Sequence, residues 1–235
     1  MDRFTYLIID LGALTVPFLF SFHPKLRFDR ELKYYLPAMF IVAIPFLVWD
    51  QYFTSVGIWG FNPDYLSGLY IGQLPIEEIL FFLCIPYACV FSYHCFIVGK
   101  FNKISSQSAS MIIMAICVVL VIILLFHFGK YYTTSTFVLL VGSLIYLTFV
   151  RRAEYIKDIL FAYTFLQVPF FITNGLLTGS WIDEAIVWYN DTENIGYRIA
   201  TIPFEDTFYG MLLILWNIAL YEWIKKRYSK TSTIG

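Results

Sequence analysis

Long apolar runs, separated by short polar segments, make up almost the whole chain. Seven runs are present, and each is close to the ~17 to 25 residues that cross a bilayer as an α-helix. They cover about 4–22, 35–52, 76–98, 109–128, 134–150, 158–177 and 204–224. Because backbone groups cannot stay unpaired in hydrocarbon, each run is expected to be helical. The pattern therefore predicts an all-α membrane protein with seven transmembrane helices.

Basic residues are distributed unevenly among the segments that join these runs. With seven spans, the linkers after the first, third and fifth runs lie on the same side as the C-terminus. That side carries Lys25, Arg27, Arg30, Lys33, Lys100, Lys103, Arg151, Arg152, Lys157, Lys225, Lys226, Arg227 and Lys230. The other side has Arg3, Lys130 and Arg198. The positive-inside rule then predicts a multi-pass cell-membrane protein with its N-terminus outside and its C-terminus in the cytoplasm.

Composition agrees with a membrane protein and excludes an ordinary soluble domain. Of the 235 residues, 59% are hydrophobic and only 14% are charged, and the mean hydropathy is +0.69. The first run has no basic stretch before it and no small-residue cleavage pattern after it, so we expect a retained span. The bilayer is the expected partner, and no nucleic acid partner is expected. Apolar runs contain all four cysteines, without a CxxC pattern, so no metal site is predicted.

A short acidic motif occurs twice, each time where an apolar run begins. The copies read LPIEE at 74–78 and IPFED at 202–206. They contain Pro75, Glu77 and Glu78 in the first half and Pro203, Glu205 and Asp206 in the second. Proline suits the first helical turn, and carboxylates complement the positive end of the helix dipole. One copy would be weak evidence, but two copies in a chain that keeps charge out of its apolar runs indicate a shared acidic site.

The two halves of the chain look related beyond this motif. PFLVWD at 45–50 matches PFFITN at 169–174, and Trp59 and Trp188 precede the motif prolines by 16 and 15 residues. Each half then has three spans, and the fourth run acts as a reversing linker that makes the halves parallel. Both motifs are expected on the outer side, with their carboxylates converging on one pocket between the halves. The predicted segments are 1–100 and 134–228 for the repeats, 101–133 for the linker and 229–235 for a disordered tail.

The paired acids suit proton transfer to and from an apolar substrate. A carboxyl group away from water and beside a second one can keep its proton at neutral pH while its neighbour stays ionised. Such a pair can protonate an alkene and then deprotonate the resulting carbocation, which aromatic faces stabilise. The aromatic candidates one turn along are Phe81, Phe82, Phe208 and Tyr209. The alternative is that the acids only complement the helix dipoles at a wet interface. Adjacent helical residues point about 100° apart, so one acid of each pair is expected to face the pocket while its neighbour caps the helix or faces water.

Other polar residues are weaker candidates. Asp50 and its repeat counterpart Asn174 lie near the outer ends of their runs and are expected to be partners of the acids. Trp59 and Asn62 belong to a long aromatic- and glycine-rich loop, 53–74, which forms either the rim of a substrate entrance or an interfacial aromatic belt. Asp10 lies within the first run, where a carboxylate is either functional or close enough to the end to reach water.

The motif regions resemble a known family. WGFNPDYLSGLYIGQLPIEEILFF in the first half and ENIGYRIATIPFEDTFYG in the second are similar to the membrane-integral lycopene cyclases, whose two small domains are separate polypeptides in some members and are fused here. The resemblance covers nearly the whole chain. It implies cyclisation of the linear ends of lycopene, or of a related carotene, to β-ionone rings in carotenoid biosynthesis, and contact with other carotenoid enzymes. The paired acidic motifs of the family fall on Pro75, Glu77, Glu78, Pro203, Glu205 and Asp206.

This chemistry requires no electron carrier, because cyclisation of an end group is an isomerisation without net redox change. The chain has no GxGxxG sequence after a strand, so no flavin or other cofactor is expected.

Two alternatives are a small membrane transporter, which would place polar residues near the middle of the membrane, and a carotenoid-binding membrane protein without catalysis. A retinal protein is excluded because 204–224 contains no lysine, and a prenyltransferase because Asp-rich motifs are absent.

Overall fold

The computed structural model describes residues 2–231, with side chains from Arg3 to Tyr228. Seven α-helices form in this part of the chain, one for each apolar run, which confirms the predicted helices. They are α1 (Thr5–Phe20), α2 (Leu32–Ser55), α3 (Ile76–Gly99), α4 (Ser106–His127), α5 (Tyr131–Ile145), α6 (Ile156–Leu177) and α7 (Phe204–Thr231). Helix α5 continues into a π-helical turn, Tyr146–Val150.

Six of the seven helices are long and apolar enough to cross a membrane. The exception is α1, which has 16 residues and is slightly shorter than the ~17 residues of a usual span. Large apolar side chains cover the outer faces of the helices; on α4, for example, Leu125 is 75% and Phe126 is 82% exposed. A soluble protein buries such side chains, whereas a bilayer favours them on the surface. These features support a multi-pass membrane protein.

Within the described residues, the two long loops, between α2 and α3 and between α6 and α7, contain six short strands that the apolar pattern did not indicate. They are β1 (Trp59–Phe61), β2 (Tyr70–Ile71), β3 (Leu74–Pro75), β4 (Val187–Tyr189), β5 (Arg198–Ile199) and β6 (Ile202–Pro203). They form three antiparallel pairs, β1 with β4, β2 with β3 and β5 with β6. Strands of two or three residues are too short for an alternating pattern to be visible in the sequence.

The chain divides into two compact units. One comprises Met1–Thr54, Pro63–Val98 and Leu213–Gly235, and the other comprises Ser55–Asn62 and Gly99–Leu212. The proposed division into parallel three-helix repeats stays a prediction. Helix α7 extends to Thr231, three residues into the segment expected to be a disordered tail, and 232–235 lie outside the described residues.

Aromatic side chains form much of the core of the first unit. Phe28 is completely buried, and its ring centroid lies 5.8 Å from Tyr35, 5.7 Å from Tyr87 and 5.6 Å from Phe91. Such edge-to-face and tilted pairs add about 0.5–1.5 kcal/mol each beyond the area that they bury. His94 lies against Phe28 and hydrogen-bonds the Leu26 carbonyl through Nε2 at 2.7 Å. It is therefore a satisfied side chain within this core.

The same unit contains a polar network near the start of α2. Glu31 Oε2 accepts a hydrogen bond of 2.6 Å from the Tyr221 hydroxyl and lies 2.8 Å from Lys225 Nζ. Burial alone would raise the pKa of Glu31, but the hydrogen bonds from Lys225 and Tyr221 outweigh it, and the pKa lies below the ordinary value. The network therefore favours an ionised Glu31.

Candidate active site

The first acidic motif follows directly from a tight β-hairpin. Tyr70 pairs with Pro75 across β2 and β3, and the Ile76 N–H donates to the Leu69 carbonyl over 2.9 Å. Gly72 forms the turn with a φ of +66°, a conformation that costs a residue with a side chain about 1–2 kcal/mol. The hairpin thus fixes the chain immediately before α3, and with it the direction of the first helical turn.

The second motif has the same construction. Arg198 pairs with Pro203 across β5 and β6, and the Phe204 N–H donates to the Tyr197 carbonyl over 3.0 Å. Each residue number exceeds that of its counterpart by 128, as 198 exceeds 70. At the position of the turn glycine stands Ala200, which adopts a φ of +55°. Two stretches of chain with different residues therefore build one local structure.

The motif prolines occupy a different position from the one expected. Pro75 and Pro203 were placed in the first helical turn, but each is the last residue of a short strand, and the helices begin at Ile76 and Phe204. Both prolines are buried. Because proline lacks an N–H, it ends the strand without leaving a donor unpaired, and its fixed φ leads into the helix. The prolines therefore position the acids from outside the helix.

Glu77 and Glu205 each hold the loop that leads into their hairpin. Glu77 Oε1 accepts a hydrogen bond of 2.7 Å from the Ser67 N–H, and Glu205 Oε1 accepts one of 2.7 Å from the Ile195 N–H. Thr133 Oγ1 also donates to Glu205 Oε1, at 2.5 Å. Both carboxyl groups are completely buried, and the other oxygen of each, Oε2, has no hydrogen-bond partner among the described residues. Each side chain is thus anchored through one oxygen and keeps the second available.

We call Asp10, Asp50, Glu77 and Glu78 the first acidic cluster. All four are at least nine-tenths buried, with relative exposures of 0%, 1%, 0% and 8%. The Tyr6 hydroxyl donates to Glu78 Oε2, and Asp50 is close enough to Glu78 for their charges to interact. Asp10 is close enough to Glu77 for their charges to interact, yet neither Asp10 oxygen has a hydrogen-bond partner within the described part of the chain. Asp10 therefore does not reach water, which removes that alternative.

We call Glu205 and Asp206 the second acidic cluster. Asp206 accepts three hydrogen bonds, from the Tyr132 hydroxyl at 2.6 Å, from Asn174 Nδ2 at 2.7 Å and from the Tyr189 hydroxyl at 3.0 Å. It is 5% exposed. Three donors on one carboxylate satisfy its charge without a cation. The structure thus places Asn174 in contact with Asp206 of the second acidic cluster, whereas its repeat counterpart Asp50 is itself a member of the first.

Neither acid of either pair faces water. Glu77 and Glu205 face the loop backbone, whereas Glu78 and Asp206, one position later, face tyrosine hydroxyls. This difference in direction is the one that helix geometry predicts for adjacent residues. The loop N–H groups of Ser67 and Ile195 lie outside α3 and α7, so the hydrogen bonds do not show the expected helix cap, and all four acids are buried. That one acid of each pair faces a substrate pocket stays a prediction.

Aromatic rings lie beside both clusters. In the second unit, the Trp59 ring centroid is 5.1 Å from Tyr132 and 6.1 Å from both Tyr189 and Tyr209. We call these four residues the aromatic group. Trp59 is only 6% exposed, so it lies inside the unit and not in an interfacial belt. Two members of the aromatic group, Tyr132 and Tyr189, hydrogen-bond Asp206 through their hydroxyl groups, so the aromatic group adjoins this carboxylate.

The other aromatic candidates lie along α3 and α7. The Phe81 ring centroid is 6.5 Å from Tyr6, and Phe82 is 6.0 Å from Phe46. Phe208 packs 5.3 Å from Phe137.

Asn62 is held elsewhere, since its Nδ2 donates to Glu184 Oε2 at 3.0 Å. Among the loop candidates, the described contacts therefore place Trp59 in the aromatic group and Asn62 at a loop–loop hydrogen bond.

Several polar groups at the clusters were not found from the sequence. They are Tyr6, Tyr132, Thr133 and Tyr189, with the backbone N–H groups of Ser67 and Ile195. Tyr6 and Tyr132 are each the second residue of a helix, α1 and α5. Aligning the first turns of these two helices would have revealed the shared tyrosine.

The arrangement is suited to moving protons in an apolar setting. Buried carboxyl groups that are hydrogen-bonded to hydroxyl groups can give or accept a proton, and aromatic faces favour a nearby positive charge.

The lycopene cyclase family model matches the chain over residues 3–96 and 129–224, which together form most of its length. The first matched segment contains the first acidic cluster, and the second segment contains the second. A curated relative, the bifunctional lycopene cyclase/phytoene synthase of Aspergillus niger, is 33% identical over 89 residues, which are 38% of this chain and 14% of the relative. The match thus spans only a small part of that relative's length. No solved structure matches the chain. The family match is extensive enough to conclude that this chain belongs to the lycopene cyclase family.

Proposed function

We propose that the protein cyclises the linear end groups of lycopene, or of a related carotene, to β-ionone rings by acid–base catalysis in the cell membrane. The observation that carries this proposal is the pair of buried acidic clusters, each hydrogen-bonded to a tyrosine, in a chain of the lycopene cyclase family. A carotene is a hydrocarbon, so it enters the bilayer where the apolar helices lie.

The reaction requires only that one proton is added to the substrate and that one proton is later removed from the new ring. A carboxylic acid protonates the terminal double bond of the substrate, which leaves a carbocation. The next double bond attacks this cation, and a carbon–carbon bond closes the six-membered ring. A carboxylate then removes a proton from the new ring and restores a double bond. Product and substrate are isomers, so atoms and electrons balance without an oxidant or reductant.

The aromatic group supports the cationic stage of this reaction. Trp59, Tyr132, Tyr189 and Tyr209 pack together, and the hydroxyl groups of Tyr132 and Tyr189 hydrogen-bond Asp206. A cation over such a face gains about 0.5–2 kcal/mol, with the larger values where water is absent. Phe81 and Phe82 supply similar faces one turn after the first acids.

The two hairpins support an internal repeat. They share their strand pairing, the hydrogen bond that enters the helix and the loop N–H that binds the first acid. On this proposal each copy contributes acid–base groups to one enzyme. The parallel arrangement of the halves and the outward-facing N-terminus remain predictions of the sequence.

Expression in a lycopene-accumulating bacterium, followed by pigment chromatography, tests the function. The wild-type protein is expected to yield cyclised product, and Glu77→Gln or Glu205→Gln to lower it by about 10²–10⁴-fold, the usual contribution of a general acid or base. Glu154→Gln is the matched control, because Glu154 is an exposed carboxylate outside both clusters.

Membrane abundance is measured for every variant, so that lost activity is separated from lost protein. Unchanged lycopene from well-inserted wild-type protein would contradict the proposal. That outcome would favour a carotenoid-binding or transport role instead.

A further inference from the structure

Asp206 is held by three donors that come from three different elements. Tyr132 of α5 donates to Oδ1 over 2.6 Å, whereas Asn174 of α6 and Tyr189 of β4 both donate to Oδ2, over 2.7 and 3.0 Å. All four residues belong to the second compact unit, and Asp206 is only 5% exposed. Because both oxygens are bonded from different elements, the carboxylate cannot rotate without breaking hydrogen bonds.

The three donors leave one acceptor site open on this carboxylate. An ionised carboxylate has about four acceptor sites, two on each oxygen. Oδ2 of Asp206 uses both of its sites, and Oδ1 uses one, for the Tyr132 hydroxyl. The remaining site lies on Oδ1, so a proton that Asp206 takes up while it keeps its hydrogen bonds must arrive there.

The two tyrosine donors are themselves fixed by their surroundings. Tyr132 is 1% exposed, and its backbone N–H donates to the Glu193 carbonyl over 3.0 Å. Its ring stacks on that of Tyr189, with the centroids 6.0 Å apart, and Tyr189 pairs with Trp59 across β1 and β4. A reacting group supported by side chains that are locked in this way is held within about 0.5 Å of one position. Asp206 therefore has a defined place as well as a defined open site.

The last step of the proposed cyclisation has an outcome that depends on where the base lies. After ring closure, the positive charge is on the ring carbon that bears the methyl group. Three neighbouring carbons carry a removable proton: the ring carbon attached to the polyene chain, the ring CH₂ on the other side, and the methyl group. Loss from the first gives the conjugated double bond of a β-ionone ring, and loss from the others places the double bond elsewhere. These carbons are separated by only two bonds, so a small displacement of the base changes which proton it meets.

We infer that the fixed position of Asp206 selects the double bond of the ring. In this assignment Asp206 removes the ring proton, and Tyr132, Tyr189 and Asn174 are the positioning residues that decide which proton it reaches. The inference rests on the proposed cyclisation and adds what determines the type of ring. The carbon–hydrogen bond breaks, its electron pair forms the new double bond, and the proton goes to Oδ1 of Asp206, which becomes a neutral carboxylic acid. Exchange with water then restores the carboxylate.

Four variants move the base or remove one of its donors. Asp206→Glu keeps a carboxylate but lengthens the side chain by one CH₂, and the first motif carries a glutamate, Glu78, at this place. Tyr132→Phe and Tyr189→Phe keep the rings and each remove one hydroxyl donor, and Asn174→Leu removes the amide donor. Each variant is expressed in the lycopene-accumulating bacterium, and the position of the ring double bond in the product is determined by chromatography and NMR.

We expect the four variants to form rings and to change their type. The share of rings with the double bond at another position is expected to rise by about tenfold or more, because a misplacement of about 1 Å costs about 10²-fold in the rate of a positioned step. Tyr221→Phe is the matched control, since it removes a buried tyrosine hydroxyl from a different carboxylate, Glu31, in the first unit. It is expected to keep the ring composition of the wild type even if its stability falls.

Three outcomes would overturn this inference. One is the ring composition of the wild type in the product of all four variants, whatever the amount of product. Another is the same change of ring composition in Tyr221→Phe, which would trace the change to a general loosening of the protein. The third is complete loss of product from both phenylalanine variants of the donors at wild-type membrane abundance, because Asp206 is retained in them. Absence of cyclised product from the wild-type protein would instead overturn the proposed function itself.

Discussion

The backbone N–H of Ser67 donates a hydrogen bond of 2.7 Å to Oε1 of Glu77, ten residues later in the chain. A carboxyl group that is a candidate for catalysis thus also anchors the loop before its own hairpin. Glu205 does the same for Ile195. The structural role needs an acceptor oxygen, whereas the chemical role needs a group that can hold and release a proton. Substitutions that keep one property and remove the other therefore separate the two roles.

Glu77→Gln keeps an oxygen that accepts from Ser67 but cannot hold or release a proton. We expect its thermal stability in detergent to stay close to that of the wild type while cyclisation is lost. Glu77→Leu removes the acceptor and leaves the buried N–H unpaired, which costs about 1–3 kcal/mol. Equal destabilisation by both variants would show that the lost activity reflects the fold.

Gly60 lies under the ring of Trp188 in the β1–β4 pair. A Cβ at position 60 would come within 2.3 Å of Trp188 Cζ2, so Gly60→Ala must displace the indole. We expect a loss of about 1–3 kcal/mol, as for overpacking elsewhere. In a Trp188→Ala background the same substitution is expected to cost much less, and a double-mutant cycle by thermal denaturation measures the difference. Additive effects would contradict this account.

The two hairpin turns differ at one position. Ala200 has a φ of +55°, a region that disfavours side chains by about 1–2 kcal/mol. Ala200→Gly is expected to stabilise the protein by about 1 kcal/mol or somewhat less, because glycine also loses more entropy on folding. Gly72→Ala is expected to destabilise it, since the new Cβ would meet Gln51 Oε1 at 2.6 Å as well. Thermal denaturation of both variants measures the two changes in stability. A stabilising Gly72→Ala would contradict the conclusion that this turn position requires glycine.

Glu31 gives the stability of the protein a dependence on acid pH. Its folded-state pKa lies below the ordinary value, so its contribution is present above the unfolded-state pKa of about 4.3 and is lost as the pH falls through the folded-state value. Glu31→Gln is expected to be less stable than the wild type at pH 7, and the difference should shrink below about pH 4. Unfolding midpoints measured across this range check the sign, and a gap that widens in acid would contradict it.

The predicted orientation can be tested with a single cysteine. Lys230→Cys, in a background without the four native cysteines, is expected to resist an impermeant thiol reagent in intact cells and to react after permeabilisation, because the positive-inside rule places this end in the cytoplasm. A cysteine at Arg198, on the side predicted to be external, provides the converse control. Labelling of position 230 in intact cells would reverse the topology.

The helices were predictable because each membrane span must be apolar over its full length, and all seven apolar runs became helices. Asp50 and Asp10 were recognisable for the complementary reason, since charge within such a run is costly and rare. Asn174 was found only through its match to Asp50 in the other half.

Other parts of the candidate site left little signal in the sequence. Tyr6 and Tyr132 look like ordinary interfacial aromatics, because tyrosines are common where helices leave the membrane. The hairpins have strands of two residues, too short to show alternation. Pro75 could be placed next to the helix start, but only the strand pairing with Tyr70 shows that it lies outside the helix.

The pairing of β1 with β4 also bears on the order in which the protein is made. Trp59–Phe61 leaves the ribosome before α3, but its partner Val187–Tyr189 follows α6. Four helices, α3 to α6, are therefore synthesised before β1 can form its hydrogen bonds with β4. The second unit is completed only near the end of translation, and an insertion error in any intervening helix would leave this strand edge open to association with other chains.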